Sequence, residues 1–153
     1  FSDFAEMPEP KKEELNVVEV VELAIDIFNR DQISFNPSSS KIQANFDRTQ
    51  LIRVITNLLK NAFQAIPEDR NPEITVNISE KDDEVNISIS DNGYGISKMD
   101  MEKIFEPSFT TKSSGMGLGL SMIKSIITAY NGSITFTSKS NVGTTFNITF
   151  PKK

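Results

Sequence analysis

Two asparagines four positions apart, Asn57 and Asn61, are the first residues of this chain whose type and spacing could support chemistry. The apolar residues around them recur at helical spacing, so both amides are predicted on one helix face, in a polar stripe with Gln50 and Gln64. Asparagine is unfavourable inside a helix because its side chain competes for backbone hydrogen bonds. An amide oxygen is a hard, neutral ligand that suits Mg²⁺ shared with phosphate oxygens. The competing interpretation is an ordinary solvated stripe, although such stripes usually carry Lys and Glu.

A carboxylate with two glycines forms a second candidate site, directly after a predicted strand. Asp91 is followed by Gly93 and Gly95, and Ile96 closes the run. An ionised aspartate only accepts hydrogen bonds, so it can bind the exocyclic amine of adenine, whereas guanine presents a carbonyl at the equivalent ring position. Glycine permits the close approach of a flat ligand. The competing interpretation is a simple turn, for which Asp, Asn and Gly are the usual residues.

A third candidate site is the glycine run Gly115, Gly117 and Gly119, which leads into a predicted helix. Free N–H groups and the positive end of a helix form a phosphate cradle. The sequence lacks the Gly-Lys-Ser/Thr of a Walker loop, and the glycine spacing differs from that of a dinucleotide-binding fingerprint. The competing interpretation is a flexible loop with an irregular helix start.

The segment 104–114 separates the two glycine runs and contains Phe105 and Phe109. These aromatic residues are predicted to anchor the ends of a short mobile segment, or simply to be core residues that flank a loop. Lys112 is the one cation of this segment that could reach a terminal phosphate. A lone surface lysine more often has no such role.

Composition limits the classes of function. The chain has 153 residues, a net charge of −5, no cysteine and no histidine. The length suits one domain, and the negative charge argues against nucleic-acid binding. A nucleotide must therefore be attracted locally, by a helix terminus and a cation. No apolar run approaches the ~18 residues of a membrane span, and no signal peptide is visible. The chain begins at Phe1 without methionine, which predicts a fragment of a longer protein.

Apolar periodicity predicts the elements that position these residues. Helices and antiparallel strands occur in separate runs, which predicts an α+β fold arranged as a two-layer α/β sandwich. The predicted helices are 15–28, 47–66, 97–105 and 117–130, and the predicted strands are 32–36, 41–46, 74–78, 85–90, 134–136 and 146–150.

In order and spacing, these motifs resemble the catalytic, ATP-binding domain of two-component sensor histidine kinases, of the gyrase, chaperone, kinase and MutL superfamily. The run 57–62 resembles the N box, 91–95 the first glycine box, 105–109 the F box, and 117–120 the second glycine box. The run 143–146 resembles the last strand of the family. Residues 61–65 and 109–112 resemble nitrogen-regulator-type kinases in particular.

The resemblance implies a domain division and a fold. Residues 1–14 would be a linker and the end of a preceding dimerisation helix, and residues 15–153 the catalytic domain. The implied fold is of the Bergerat type, a mixed five-stranded sheet with three main helices on one face.

The resemblance also implies site roles for ATP and Mg²⁺. Asn61 would ligate the metal, Asn57 would lie near metal and phosphates, and Asp91 would bind the adenine amine. Lys112 would help to neutralise the phosphates, and Gln64 stands where many relatives have a basic residue. The remaining implied nucleotide-binding residues are Gly93, Gly95, Ile96, Gly115, Gly117, Leu118, Gly119, Leu120 and Thr145. Two further departures from the family pattern are Met116, where threonine is more usual, and Tyr94, which fills a variable position.

The implied reaction transfers the γ-phosphoryl of ATP to a histidine on the dimerisation domain of the same parent protein, for relay to a response regulator receiver domain. The implied location is the cytoplasm, without direct membrane or nucleic-acid contact by this segment. Hydrolytic members of the superfamily have a glutamate where Asn57 stands, and an amide cannot act as that base. The alternatives are a degenerate nucleotide-binding module, a superfamily ATPase, and a serine kinase that acts on an anti-sigma-factor partner.

Overall fold

The computed structural model of the chain describes residues 9–106 and 116–153, and its helices and strands follow the apolar periodicity of the sequence. The elements are, in chain order, β1 (Glu13–Asn16), α1 (Val17–Ile25), a single 3-10 turn (Arg30–Gln32), β2 (Ile33–Pro37), β3 (Gln43–Phe46), α2 (Arg48–Gln64), β4 (Ile74–Lys81), β5 (Glu84–Ser90), α3 (Lys98–Met101), α4 (Met116–Ala129), β6 (Ser133–Lys139) and β7 (Gly143–Pro151).

Five of the strands form one mixed sheet in the order β2-β4-β5-β7-β6. The β2–β4 pair is parallel, and the other three pairs are antiparallel. The remaining strands, β1 and β3, form a separate antiparallel pair. The predicted α+β fold with a mixed five-stranded sheet is confirmed.

Alternation along the strands directs apolar side chains to one face of the sheet, where α1, α2 and α4 contribute the rest of a single buried cluster. Strand β5 contributes every second residue, and β7 does the same in register with it. The buried residues of these two central strands are Val85, Ile87, Ile89, Phe146, Ile148 and Phe150.

Polar side chains define where the helices begin. Asn16 caps α1 by accepting a hydrogen bond from the N–H of Val18 at 3.1 Å. Asp47 caps α2 through the N–H of Gln50 at 3.0 Å. Both caps satisfy backbone donors that have no partner within the helix. None of the helices in the two described ranges is long and apolar enough to cross a bilayer.

Three element boundaries differ from the sequence-based prediction. The helix predicted from Leu15 begins at Val17, because residues 13–16 instead pair with β3. The helix predicted over 97–105 is confined to Lys98–Met101 and is followed by turns. The turn predicted at residues 81–83 consists of Asp82 and Asp83, whose φ angles of 53° and 65° form a tight hairpin between β4 and β5.

Candidate functional site

Asp91 follows the last residue of β5 and enters the turn that contains both glycines of the first run. Its Oδ1 accepts hydrogen bonds from the N–H of Gly93 at 2.8 Å and the N–H of Thr144 at 3.3 Å. Its Oδ2 has no hydrogen-bond partner among residues 9–106 and 116–153. Burial raises the pKa of Asp91, and the two N–H groups oppose that shift. One carboxylate oxygen therefore holds the turn, and the other is available to a ligand.

Close backbone contacts explain both glycines of this turn. A Cβ on Gly93 would stand 2.3 Å from the carbonyl oxygen of Ala65, the residue after α2. A Cβ on Gly95 would stand 2.5 Å from the carbonyl oxygen of Lys139, and Gly95 has a φ of 80°. Glycine is required at both positions because no other residue fits between these backbones. Packing alone thus explains these two glycines.

The two asparagines lie on α2 in different environments. Asn61 is only 8% exposed, and its Nδ2 has no hydrogen-bond partner among the residues that the structure describes. A buried amide donor without a partner is costly, so a native protein that keeps one commonly does so for function. The Nδ2 of Asn57 donates to the carbonyl of Arg53 at 2.9 Å, which fixes the orientation of this half-buried amide.

Helix α4 brings the second glycine run to the same place. A Cβ on Gly119 would have the Oδ1 of Asn57 as its nearest neighbour in the described part of the chain, at 3.7 Å. Leu120, the next residue, is completely buried and attaches this part of the helix to the core. The structure thus places the second glycine run against the face of α2 that carries Asn57.

Several predicted residues lie at or beyond the limit of what is described. The helix begins at Met116, so Gly117 and Leu118 belong to its first turn. Phe109, Lys112 and Gly115 lie outside the described residues.

Thr145 does not lie beside the carboxylate of Asp91. Its hydroxyl is 2.7 Å from that of Ser90, with which it pairs on the sheet face opposite to the helices. Thr144 is the buried residue of the pair, and it shares the helix-covered face with Phe146. The predicted contribution of Thr145 to an adenine pocket therefore fits Thr144 better, and the alternation of β7 already carried this signal in the sequence.

Other predicted residues are placed individually. Ile96 is half-buried, and its N–H donates to the Oγ of Ser138 at 2.7 Å. Gln64 is exposed, and Tyr94 is 56% exposed. Gln50, grouped by the sequence with the two asparagines, instead accepts a hydrogen bond from the hydroxyl of Tyr130 at 3.0 Å.

The fold and these motifs agree with a comparison against protein families. The family described as "Histidine kinase-, DNA gyrase B-, and HSP90-like ATPase" matches residues 46–153. The chain belongs to this family, and within it to the ATP-binding catalytic domains of sensor histidine kinases.

Curated relatives are sensor kinases. The chain is similar to the sensor protein FixL of Bradyrhizobium diazoefficiens, with 36% identity over 121 residues that cover 78% of this chain and 24% of FixL. It is similar to the sensor histidine kinase ZraS of Escherichia coli, with 40% identity over 116 residues, 76% of this chain and 24% of ZraS. A putative NtrY-like sensor histidine kinase of Rickettsia bellii is 30% identical over 151 residues, 96% of this chain and 25% of that protein. The chain thus spans about a quarter of the length of these relatives.

A solved structure supports the same assignment. The nucleotide-free catalytic domain of the histidine kinase ThkA superimposes with a TM-score of 0.82 at 31% identity, covering 93% of this chain and 96% of that domain. The predicted resemblance to histidine kinase catalytic domains is confirmed.

Proposed function

We propose that this domain binds ATP with Mg²⁺ and transfers the γ-phosphoryl group to a histidine on a dimerisation domain of the same parent protein, for relay to a response regulator. The observation that carries the proposal is the approach of Asn57 on α2 to Gly119 on α4, at 3.7 Å from the position of an added Cβ. A polar amide facing bare helix backbone suits a phosphate chain, which needs N–H donors and a shared cation.

The base would bind at the turn after β5. Oδ2 of Asp91 is free to accept the exocyclic amine of adenine, while Oδ1 is held by the N–H groups of Gly93 and Thr144. Guanine would place a carbonyl against the same carboxylate, and two acceptors repel each other. The proposed site therefore prefers ATP to GTP.

The amides of α2 fit a Mg²⁺ ion shared with phosphate oxygens. Asn61 is buried and has an amide nitrogen without a partner in the described structure, so this side chain has hydrogen-bonding capacity that the folded domain does not use. We assign Asn61 to the metal and Asn57 to the metal and phosphates, with Lys112 as a second source of positive charge. When bound, Mg²⁺ would neutralise charge on the phosphates.

The acceptor must come from outside the 153 residues, because they contain no histidine. A neutral imidazole nitrogen of the dimerisation domain would attack the γ-phosphorus, and the bond to the β–γ bridging oxygen would break to release ADP. Asn57 cannot activate water as a carboxylate would, which favours this transfer over hydrolysis. The proposed reaction uses cellular ATP, and its proposed location is the cytoplasm.

The test mixes the domain with γ-labelled ATP, Mg²⁺ and a separate helical hairpin of the parent that carries its histidine. Acid-labile label on the hairpin is the expected result, and Asn61→Ala should abolish it. Steady phosphate release with an unlabelled hairpin would replace the kinase assignment with an ATPase. Nucleotide binding with neither reaction would leave a regulatory binding module.

A further inference from the structure

We propose that Arg70, in the loop between α2 and β4, is a positioning residue that orients the Asp91 carboxylate for the nucleotide base. This inference rests on the function proposed above. The sequence gave no reason to select Arg70, because it lies between a proline turn and a strand, outside the four motifs.

The guanidinium group grips the first glycine run from the side of the loop. Nη1 of Arg70 donates to the carbonyl oxygen of Asn92 at 2.5 Å and to that of Gly93 at 3.2 Å. Arg70 is half-buried, so these charged donors act where water competes less than at an open surface.

The two carbonyls belong to the peptide groups that matter most in this turn. A peptide group is planar, so its C=O and the following N–H move together. The carbonyl of Asn92 shares its plane with the N–H of Gly93, which donates to Oδ1 of Asp91 at 2.8 Å. By holding that carbonyl, Arg70 fixes the direction of the N–H that orients the carboxylate.

The next peptide group is held in the same way. The carbonyl of Gly93 shares its plane with the N–H of Tyr94, which donates to the carbonyl of Ala65 at 2.8 Å. Arg70 therefore holds the oxygen side of two consecutive peptide planes, and Asp91 and Ala65 hold their nitrogen sides.

The side chain of Asn92 closes the contact from the opposite direction. Its Oδ1 accepts from the N–H of Glu73 at 2.9 Å, and its Nδ2 donates to the carbonyl of Asn71 at 2.9 Å. The loop and the turn thus bind each other reciprocally. Because the N–H of Ala65 donates to the carbonyl of Asn61 at 3.0 Å, this assembly also continues directly from the helix that carries the proposed metal ligand.

The predicted consequence is specific to the base. A carboxylate with a poorly fixed direction loses discrimination between adenine and guanine, whereas phosphates bound at α2 and α4 are affected little. Lysine should rescue only in part, since a single ammonium lacks the planar fork of arginine.

The test compares Arg70→Met and Arg70→Lys with a matched control, Arg30→Met. Arg30 is a half-exposed arginine that pairs with Glu22 and Asp26, away from the motifs. Calorimetry with Mg-ATP, Mg-GTP and Mg-tripolyphosphate measures each interaction. Arg70→Met should weaken ATP binding about tenfold and narrow the ATP/GTP ratio, with tripolyphosphate binding unchanged and Arg70→Lys intermediate. With the hairpin acceptor, KM for ATP should rise while kcat is retained.

The opposing results are equally definite. Arg70→Met with the ATP affinity and ATP/GTP ratio of Arg30→Met would overturn the proposal, as would equal losses for ATP and tripolyphosphate. If Arg70→Met fails to fold, the comparison of Arg70→Lys with Arg30→Lys decides in the same way. Failure of the unmodified domain to bind any nucleotide would instead overturn the proposed function, and this inference with it.

Discussion

The Oδ1 of Asn57 lies 3.7 Å from the position that a Cβ on Gly119 would occupy, which is ordinary contact distance. The folded domain therefore has room for alanine at position 119, and packing among the described residues does not explain the glycine. A glycine inside a helix costs about 0.5–1 kcal/mol relative to alanine. We infer that this cost is tolerated because a ligand must approach the helix backbone here.

Gly119→Ala should consequently separate stability from binding. The melting temperature of the ligand-free domain should rise, since the substitution improves helix propensity by about 0.5–1 kcal/mol without a clash. Affinity for Mg-ATP should fall, because the added methyl group occupies space next to Asn57 that we assign to phosphates. Thermal denaturation and calorimetry on one sample measure both effects. Unchanged affinity would remove Gly119 from the proposed site.

Gly93→Ala should behave in the opposite way and serves as the control. Its Cβ would stand 2.3 Å from the carbonyl of Ala65, and backbone must shift to relieve this contact. Overpacking of this kind costs about 1–3 kcal/mol, so the ligand-free domain should be less stable. Denaturant titration measures the free energy of unfolding. A Gly93→Ala domain as stable as the unmodified one would show that the turn yields easily.

Asn61→Leu should stabilise the ligand-free domain or leave its stability unchanged. The substitution removes a buried amide nitrogen that lacks a partner in the described structure and replaces it with an apolar group of similar size. An unsatisfied buried donor costs about 1–3 kcal/mol. Mg-dependent nucleotide binding should be lost at the same time.

Asn57→Leu is the matched substitution for this experiment, since the amide of Asn57 already donates to the carbonyl of Arg53. It should give no comparable gain in unfolding free energy. A clear loss of stability in Asn61→Leu would indicate that the amide has a structural partner, and the metal assignment would lose its main support.

Much of this site could be predicted because its signals are local. The cap at Asp47, the helical spacing of Asn57 and Asn61, and the strand before Asp91 all depend on residues close in sequence. Their types also limit the chemistry, since amides, a carboxylate and bare glycines suit a magnesium nucleotide. The five-stranded sheet was expected from the family resemblance, and its strands follow the alternation of apolar residues.

The features that sequence reasoning missed depend on distant partners. Strand β1 exists because residues 13–16 pair with residues 43–46, and no periodicity of a four-residue segment indicates this. Arg70 is linked to the turn only by contacts across 22 and 23 positions. Gln50 lies on the same helix as the two asparagines, but Tyr130 of the chain segment after α4 takes it into a different network.

Asp91 should give stability and binding opposite dependences on pH. Burial raises the pKa of this carboxyl in the folded domain, so folding favours its protonated form. The stabilisation from that form is complete below the ordinary aspartate pKa of the unfolded chain, and it is lost as the pH rises through the folded pKa. The unfolding free energy of the unmodified domain, relative to Asp91→Asn, should therefore fall across this window. Denaturant titrations at a series of pH values measure the difference.

Nucleotide affinity should rise across the same pH window, because the ionised carboxylate is the better acceptor for the adenine amine. Asp91→Asn retains an oxygen that can accept from the N–H groups of Gly93 and Thr144, so its turn should persist while its affinity is low and independent of pH there. Adenosine is the informative ligand, since it has no phosphate that titrates in this range. Equal affinity of both proteins for adenosine at every pH would show that Asp91 does not contact the base, even if the stability curve behaves as predicted.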